Sequence, residues 1–112
     1  MGEPKAQGRG PVESDVQVQE DRVIVKPVGR VDSTVAEEFQ RRLLGTIAAY
    51  ATPVELDCSA MPYISSPGLR VLALAAKALG QHAQRLRIIQ PTAVVLSTLT
   101  LSDFTSFLDV VT

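Results

Sequence analysis

Two adjacent hydroxyls, Ser65 and Ser66, stand immediately before Pro67-Gly68-Leu69-Arg70-Val71-Leu72, a run that reads as the start of an apolar helix. Serine followed by proline opens a helix efficiently, since the hydroxyl caps a free N–H and proline's fixed φ suits the first turn. Ser66 reads as the N-cap and Pro67 as the first helical residue. Phosphate chemistry suits the same place, because unpaired N–H groups and the positive end of the helix dipole face outward there. On the residues alone a plain capped turn is the simpler reading, with a phosphoacceptor as the alternative.

Other chemistry-bearing residues form weaker patterns. Cys58 and His82 supply a nucleophile and a base, but no third group is placed to orient them. An enzyme built on Cys58 is therefore the least economical reading. Asp32 and Asp57 each follow a strand, where capping and turn formation account for a carboxylate more simply than acid–base catalysis. No cluster of His, Cys and carboxylates has metal-ligand spacing, so no metal or other cofactor is expected. Arg85 and Arg87 flank a strand and the remaining basic residues are scattered, which argues against nucleic acid as a partner.

The elements that must position these residues can be read from periodicity. Residues 1–14 are rich in Gly, Pro and charge and read as a flexible tail, leaving 15–112 as a single domain. Gly8-Arg9-Gly10 is no phosphate loop, because no strand precedes it. Val16 and Val18 alternate with glutamines, and Val23 to Val28 follows, giving a hairpin that turns at Glu20-Asp21. Thr34-Val35-Ala36-Glu37 matches a capping box. Behind it Val35, Ala36, Phe39, Leu43, Ile47 and Ala48 form the apolar stripe of a first helix ending near Tyr50.

A strand over Thr52 to Asp57 leads through the Cys58–Ser65 loop into the second helix, which Gly80 stops. Leu86 to Ile89 reads as a strand, Ala93 to Leu99 as a short helix opened by Thr92, and Leu108 to Val111 as a final strand. The order ββαβαβαβ predicts an α/β domain: a mixed sheet with an N-terminal hairpin and helices mainly on one face. Such a chain of 112 residues buries a core without staples, and a lone cysteine fits a reducing, cytoplasmic setting. No apolar run approaches the roughly 20 residues of a membrane span, and the formal net charge of −1 gives no signature for an anionic partner.

The second helix is apolar on more than its core side. Leu69, Leu72, Ala73, Ala76 and Leu79 form the core stripe, whereas Arg70, Lys77 and Gln81 give only a narrow polar strip. Val71 and Leu74 are expected to face outward as a docking or homodimer surface, with Ala75 covered by a neighbouring helix.

Three segments then carry a family resemblance. Gly29-Arg30-Val31-Asp32-Ser33, Val54-Glu55-Leu56-Asp57-Cys58-Ser59 and Tyr63-Ile64-Ser65-Ser66-Pro67-Gly68-Leu69 resemble, in order and spacing, the motifs of a STAS domain of the bacterial anti-sigma factor antagonist type. The resemblance covers about Val16 to Val111. It implies a STAS-like (SpoIIAA-like) fold and a non-enzymatic regulator of transcription that binds an anti-sigma factor serine kinase. It also implies phosphorylation of Ser66 by that kinase, with Asp32, Ser65, Ser66, Gly68, Leu69, Arg70, Val71 and Leu74 forming the contact. Two residues depart from the family pattern: Ser65 replaces an acidic residue and Pro67 replaces a second serine. The first removes a charged acceptor beside the phosphosite; the second fixes the backbone next to it. A non-switching interaction scaffold, or an accessory subunit of lipid-transport type, is the alternative these departures leave open.

Overall fold

The computed structural model describes residues 13–50 and 52–112. The tail expected over 1–14 therefore lies, as far as residue 12, outside the described residues. Strands β1 (Glu13–Val18) and β2 (Val23–Val28) form the antiparallel hairpin, with Val18 opposite Val23. Its turn passes through Glu20 and Asp21, where the Gln19 N–H donates to the Arg22 carbonyl at 2.8 Å. Strand β1 begins earlier than the Asp15 expected, because Glu13 and Ser14 still pair with Val28 and Pro27.

The remaining elements are α1 (Ala36–Ala49), β3 (Val54–Asp57), α2 (Ser66–Gly80), β4 (Arg87–Ile89), α3 (Ala93–Leu101), a 3-10 turn (Phe104–Ser106) and β5 (Asp109–Val111). The five strands lie side by side in chain order, parallel from β2 onward. Register aligns Val25, Leu56, Ile88 and Val110 in one row across the sheet. On that face they meet Phe39, Leu43, Leu72, Leu79, Val95 and Leu99 of the three helices in a single core. Burial of these aliphatic and aromatic side chains is the main stabilising contribution, at about 1.5–3 kcal/mol for each fully buried one.

Among the described residues no helix covers the other face. There β2 shows Ile24 and Lys26 half-buried, and Glu55 of β3 is screened by arginines. The Glu55 carboxylate lies 3.3 Å from Arg22 Nε and 3.3 Å from Arg87 Nη1, with its side chain 10% exposed. A carboxylate so sheltered is stable only because two guanidinium groups share it. The helices thus sit on one face of the sheet, as the sequence predicts.

Two details of α1 differ from expectation. The capping box does not form: the Thr34 N–H and hydroxyl donate to Asp32 Oδ1 at 3.0 and 2.6 Å, and Val35 precedes the helix with no side-chain cap. The Asp32 carboxylate is the stronger acceptor and draws the Thr34 hydroxyl to itself, and the helix starts one residue later, behind Val35. Ala48, expected in the apolar stripe, is exposed.

Candidate functional site

The corner around the α2 N-terminus is assembled from two loops that leave neighbouring parallel strands. Gly29, at φ 112°, turns the chain out of β2 in a conformation that side chains rarely adopt. Beyond it the two loops run together: the Gly29 N–H donates to the Ala60 carbonyl, and the Val31 N–H to the Tyr63 carbonyl, both at 2.9 Å. Val31 and Ile64 form an isolated parallel bridge, and the Ser65 N–H donates back to the Val31 carbonyl at 2.8 Å. This zipper sets Asp32 beside the Ser65–Ser66 pair, although the two segments are far apart in sequence. Arg30 stacks over the Tyr63 ring at 4.4 Å from its centroid, pinning the outer edge of the same corner.

The helix start is shifted by one residue from the sequence reading. Ser65, not Ser66, is the N-cap: its Oγ accepts from the Gly68 N–H at 3.2 Å, and its carbonyl accepts from the Leu69 N–H at 2.8 Å. Ser65 is only 8% exposed, whereas Ser66, the first helical residue, is exposed. The tie from Ser65 N–H to Val31 decides between two serines that could each have capped. It also changes the anion chemistry of the tip. Of the first-turn donors, Ser65 N–H is held by Val31, Pro67 has none, and Gly68 N–H is held by Ser65 Oγ. That leaves the Ser66 N–H and the helix dipole to meet a negative charge, fewer donors than an open helix start offers.

Gly68 is required by close approach. A Cβ there would lie 2.7 Å from Ile64 Cγ1 and 2.9 Å from Val31 Cγ1, inside any real contact distance. Leu69 is 8% exposed and seals the same joint, while Arg70 is exposed one turn after Ser66. Val71, expected on an outer docking face, is 2% exposed and belongs to the core; the sheet and α1 between them enclose more of α2 than a single apolar stripe. Ala75 is fully buried, as expected, and Leu74 is 37% exposed. The outward part of the corner is therefore Asp32, Ser66, Pro67, Arg70 and Leu74, resting on Ser65, Gly68, Leu69 and Val71.

Electrostatics at the corner are local. The hydrogen bond from the Thr34 hydroxyl, assisted by the Thr34 N–H and the Arg30 charge, holds the Asp32 carboxyl below the usual carboxylate range. Asp57 likewise serves a turn, its Oδ1 accepting from the Ser59 N–H at 2.9 Å. Neither carboxylate is directed at a reacting group.

Cys58 is fully buried, and burial, with the nearby Asp57 charge, pushes its thiol up to about 12. Such a thiol is un-ionised near neutrality and a poor nucleophile. His82 stands past the C-terminus of α2, the opposite end of that helix, so the two are not brought together. Among the described residues no group of three or more His, Cys, Asp and Glu side chains is arranged to hold a metal ion. No helix among them is long and apolar enough to cross a membrane.

A five-stranded open-faced sheet, backed by three helices and carrying a serine-tipped α2 beside a β2–α1 loop, defines a recognisable class of α/β module. Residues 13–111 match the STAS domain model, and the chain belongs to that family. Among solved structures, it is similar to an anti-sigma factor antagonist from Mycobacterium paratuberculosis, with a TM-score of 0.80, 17% identity, and coverage of 88% of this chain and 84% of that one. The unphosphorylated form of the anti-sigma factor antagonist SpoIIAA superposes with a TM-score of 0.73 at 16% identity, covering 90% and 88%. Its phosphorylated form, the Bacillus cell fate determinant, gives 0.66 at 15% identity, covering 90% and 91%. At identities this low the superpositions show a shared fold alone. No curated protein matches by sequence.

Proposed function

We propose that this domain is an anti-sigma factor antagonist: it binds an anti-sigma factor serine kinase through the Ser66 corner, and phosphorylation of Ser66 ends the complex. The observation that carries this reading is the division of labour between the two serines. Ser65 caps the helix from a buried position, so Ser66 is exposed and has no structural duty at the tip. A hydroxyl placed there can be modified without unfolding the domain.

The physics of the switch follows from position. Phosphate adds about −1.5 to −2 charges. Within the domain the helix dipole tolerates that charge, and Arg70, one turn along, can pair with it. A partner packed over Asp32, Ser66 and Leu74 meets the same charge as repulsion and as a group to desolvate. The domain acts by binding and has no chemistry of its own. Regulation of transcription, a cytoplasmic location and the use of the Leu74 face in a homodimer belong to the same reading.

A second reading, a STAS scaffold or accessory subunit without a switch, is favoured by one observation. Pro67 brings no N–H and the Gly68 N–H is already engaged, so a phosphate on Ser66 finds few backbone donors. Incubating the full chain with an anti-sigma factor kinase and ATP, then locating modified residues by mass spectrometry, separates the two. Stoichiometric phosphate on Ser66 supports the switch; an unmodified chain that still binds the kinase supports the scaffold.

A further inference from the structure

Charge is unevenly spread along this chain. From Cys58 to Ser102 there is no Asp or Glu, while Arg70, Lys77, Arg85 and Arg87 all fall in that span. Arg87 is drawn to the open sheet face by Glu55. Arg85 has one long, solvated pairing, 3.8 Å to Asp109, with both side chains more than half exposed. Arg70 and Lys77 are exposed and carry no ion pair with a described acid. The outer side of α2 therefore presents uncompensated positive charge. Lys77 in the last helical turn complements the helix dipole, but Arg85, beyond the helix, has no such explanation.

Beside these cations lies a cleft of about 360 Å³ between α2 and the chain entering β5, lined by Ala73, Ala76, Gly80 and Phe107 with Lys77, Gln84 and Arg85 at its rim. Phe107 is 37% exposed there. Both charged side chains in the lining are cations, and Asp109 offsets Arg85 only through the long, solvated pairing; an apolar floor so rimmed disfavours basic surfaces and favours a ligand that brings carboxylates beside aliphatic groups. The floor follows α2 from Ala73 to Gly80, about 10 Å or two turns, which matches two turns of a second helix laid alongside.

We propose that this cleft receives an acidic amphipathic helix of a partner protein, its carboxylates facing Lys77 and Arg85 and its aliphatic side chains lying on Ala73, Ala76 and Phe107. The inference extends the preceding reading, and rests on it only in taking the partner to be the anti-sigma factor. Lys77 is about 16 Å along α2 from Ser66, so this contact is a second anchor that the phosphosite does not control.

The test uses the full chain and two labelled helical peptides, one with glutamates two turns apart flanking leucines, the other with lysines in place of those glutamates. Fluorescence anisotropy gives affinity, and amide chemical shifts give location. The glutamate peptide is expected to bind saturably and shift Ala73 to Gly80 and Phe107. The double variant Lys77→Glu/Arg85→Glu should weaken it at least about tenfold and gain the lysine peptide, since two exposed pairs turn from attraction to repulsion. Gly80→Leu fills the cleft in a position where a Cβ meets nothing within 4 Å, so it folds and should also weaken binding. Ser66→Asp should bind like wild type, which keeps this result separate from that of the switch.

Shifts confined to another surface, affinity within twofold in the charge-reversed variant, or no saturable binding each overturn the proposal. So does concentration-dependent self-association that the same double variant abolishes, for it would assign the cleft to a second copy.

Discussion

Replacing Ser65 and Ser66 one at a time separates the cap from the switch. Ser65→Ala removes the acceptor of the Gly68 N–H, a bond of 3.2 Å made inside a corner where Ser65 is 8% exposed. Loss of an N-cap costs about 0.5–2 kcal/mol, and the upper half applies where water cannot readily replace the hydroxyl. In a domain of this size each kcal/mol corresponds to about 4–8 °C in Tm.

Ser66→Ala deletes an exposed hydroxyl that caps nothing and should lie within about 0.5 kcal/mol of wild type. Ser65→Asp keeps an acceptor at the positive end of α2, where the dipole contributes about 0.3–1 kcal/mol, so it should be more stable than Ser65→Ala. Urea titrations followed by circular dichroism, read at constant m, measure all three. A neutral Ser65→Ala, or a Ser66→Ala as costly as Ser65→Ala, would refute the assignment of roles.

Other consequences concern the scaffold. Gly68→Ala forces a Cβ to 2.7 Å from Ile64 and 2.9 Å from Val31, both stiff β-branched side chains. The overpacking cost of about 1–3 kcal/mol exceeds the helix gain of about 0.5–1 kcal/mol, so the urea midpoint should fall; an unchanged or higher midpoint contradicts the close approach. Asp32 and Glu38 titrate low in the folded chain because of Thr34 and of Arg42 and Arg41 respectively. Their contribution is therefore present above the unfolded carboxylate range near pH 4 and is lost as pH falls below it. Asp32→Asn and Glu38→Gln should each flatten the acid limb of a stability–pH curve. The Cys58 thiol, raised from 9.0 to about 12, binds its proton more tightly folded than unfolded. Stability should thus decline as pH rises above about 9, less so in Cys58→Ala, and Ellman's reagent should label the thiol only as urea unfolds the chain.

Much of the fold is legible because its periodicities are clean. Val16 and Val18 alternating with glutamines, and Phe39, Leu43 and Ile47 four apart, give the hairpin and α1 directly. Local competition is harder to read. Ser65 and Ser66 are equivalent caps until the bond to Val31, a residue remote in sequence, fixes which one turns inward. Thr34 fits a capping box by spacing, yet a carboxylate two residues earlier engages its donors first. The burial of Val71 depends on how much of α2 the sheet and α1 enclose, which helical spacing does not encode. The Arg30–Tyr63 stack joins two loops whose proximity is a property of the parallel sheet, and neither residue has a local signal. Phe104 to Ser106 is too short a turn to leave a periodic pattern.

The most direct measurement is the affinity of the full chain for an anti-sigma factor kinase, by calorimetry, before and after enzymatic phosphorylation. Phosphate located on Ser66 should weaken the complex about a hundredfold, equivalent to about 2.8 kcal/mol. An unchanged affinity with Ser66 fully modified would contradict the account.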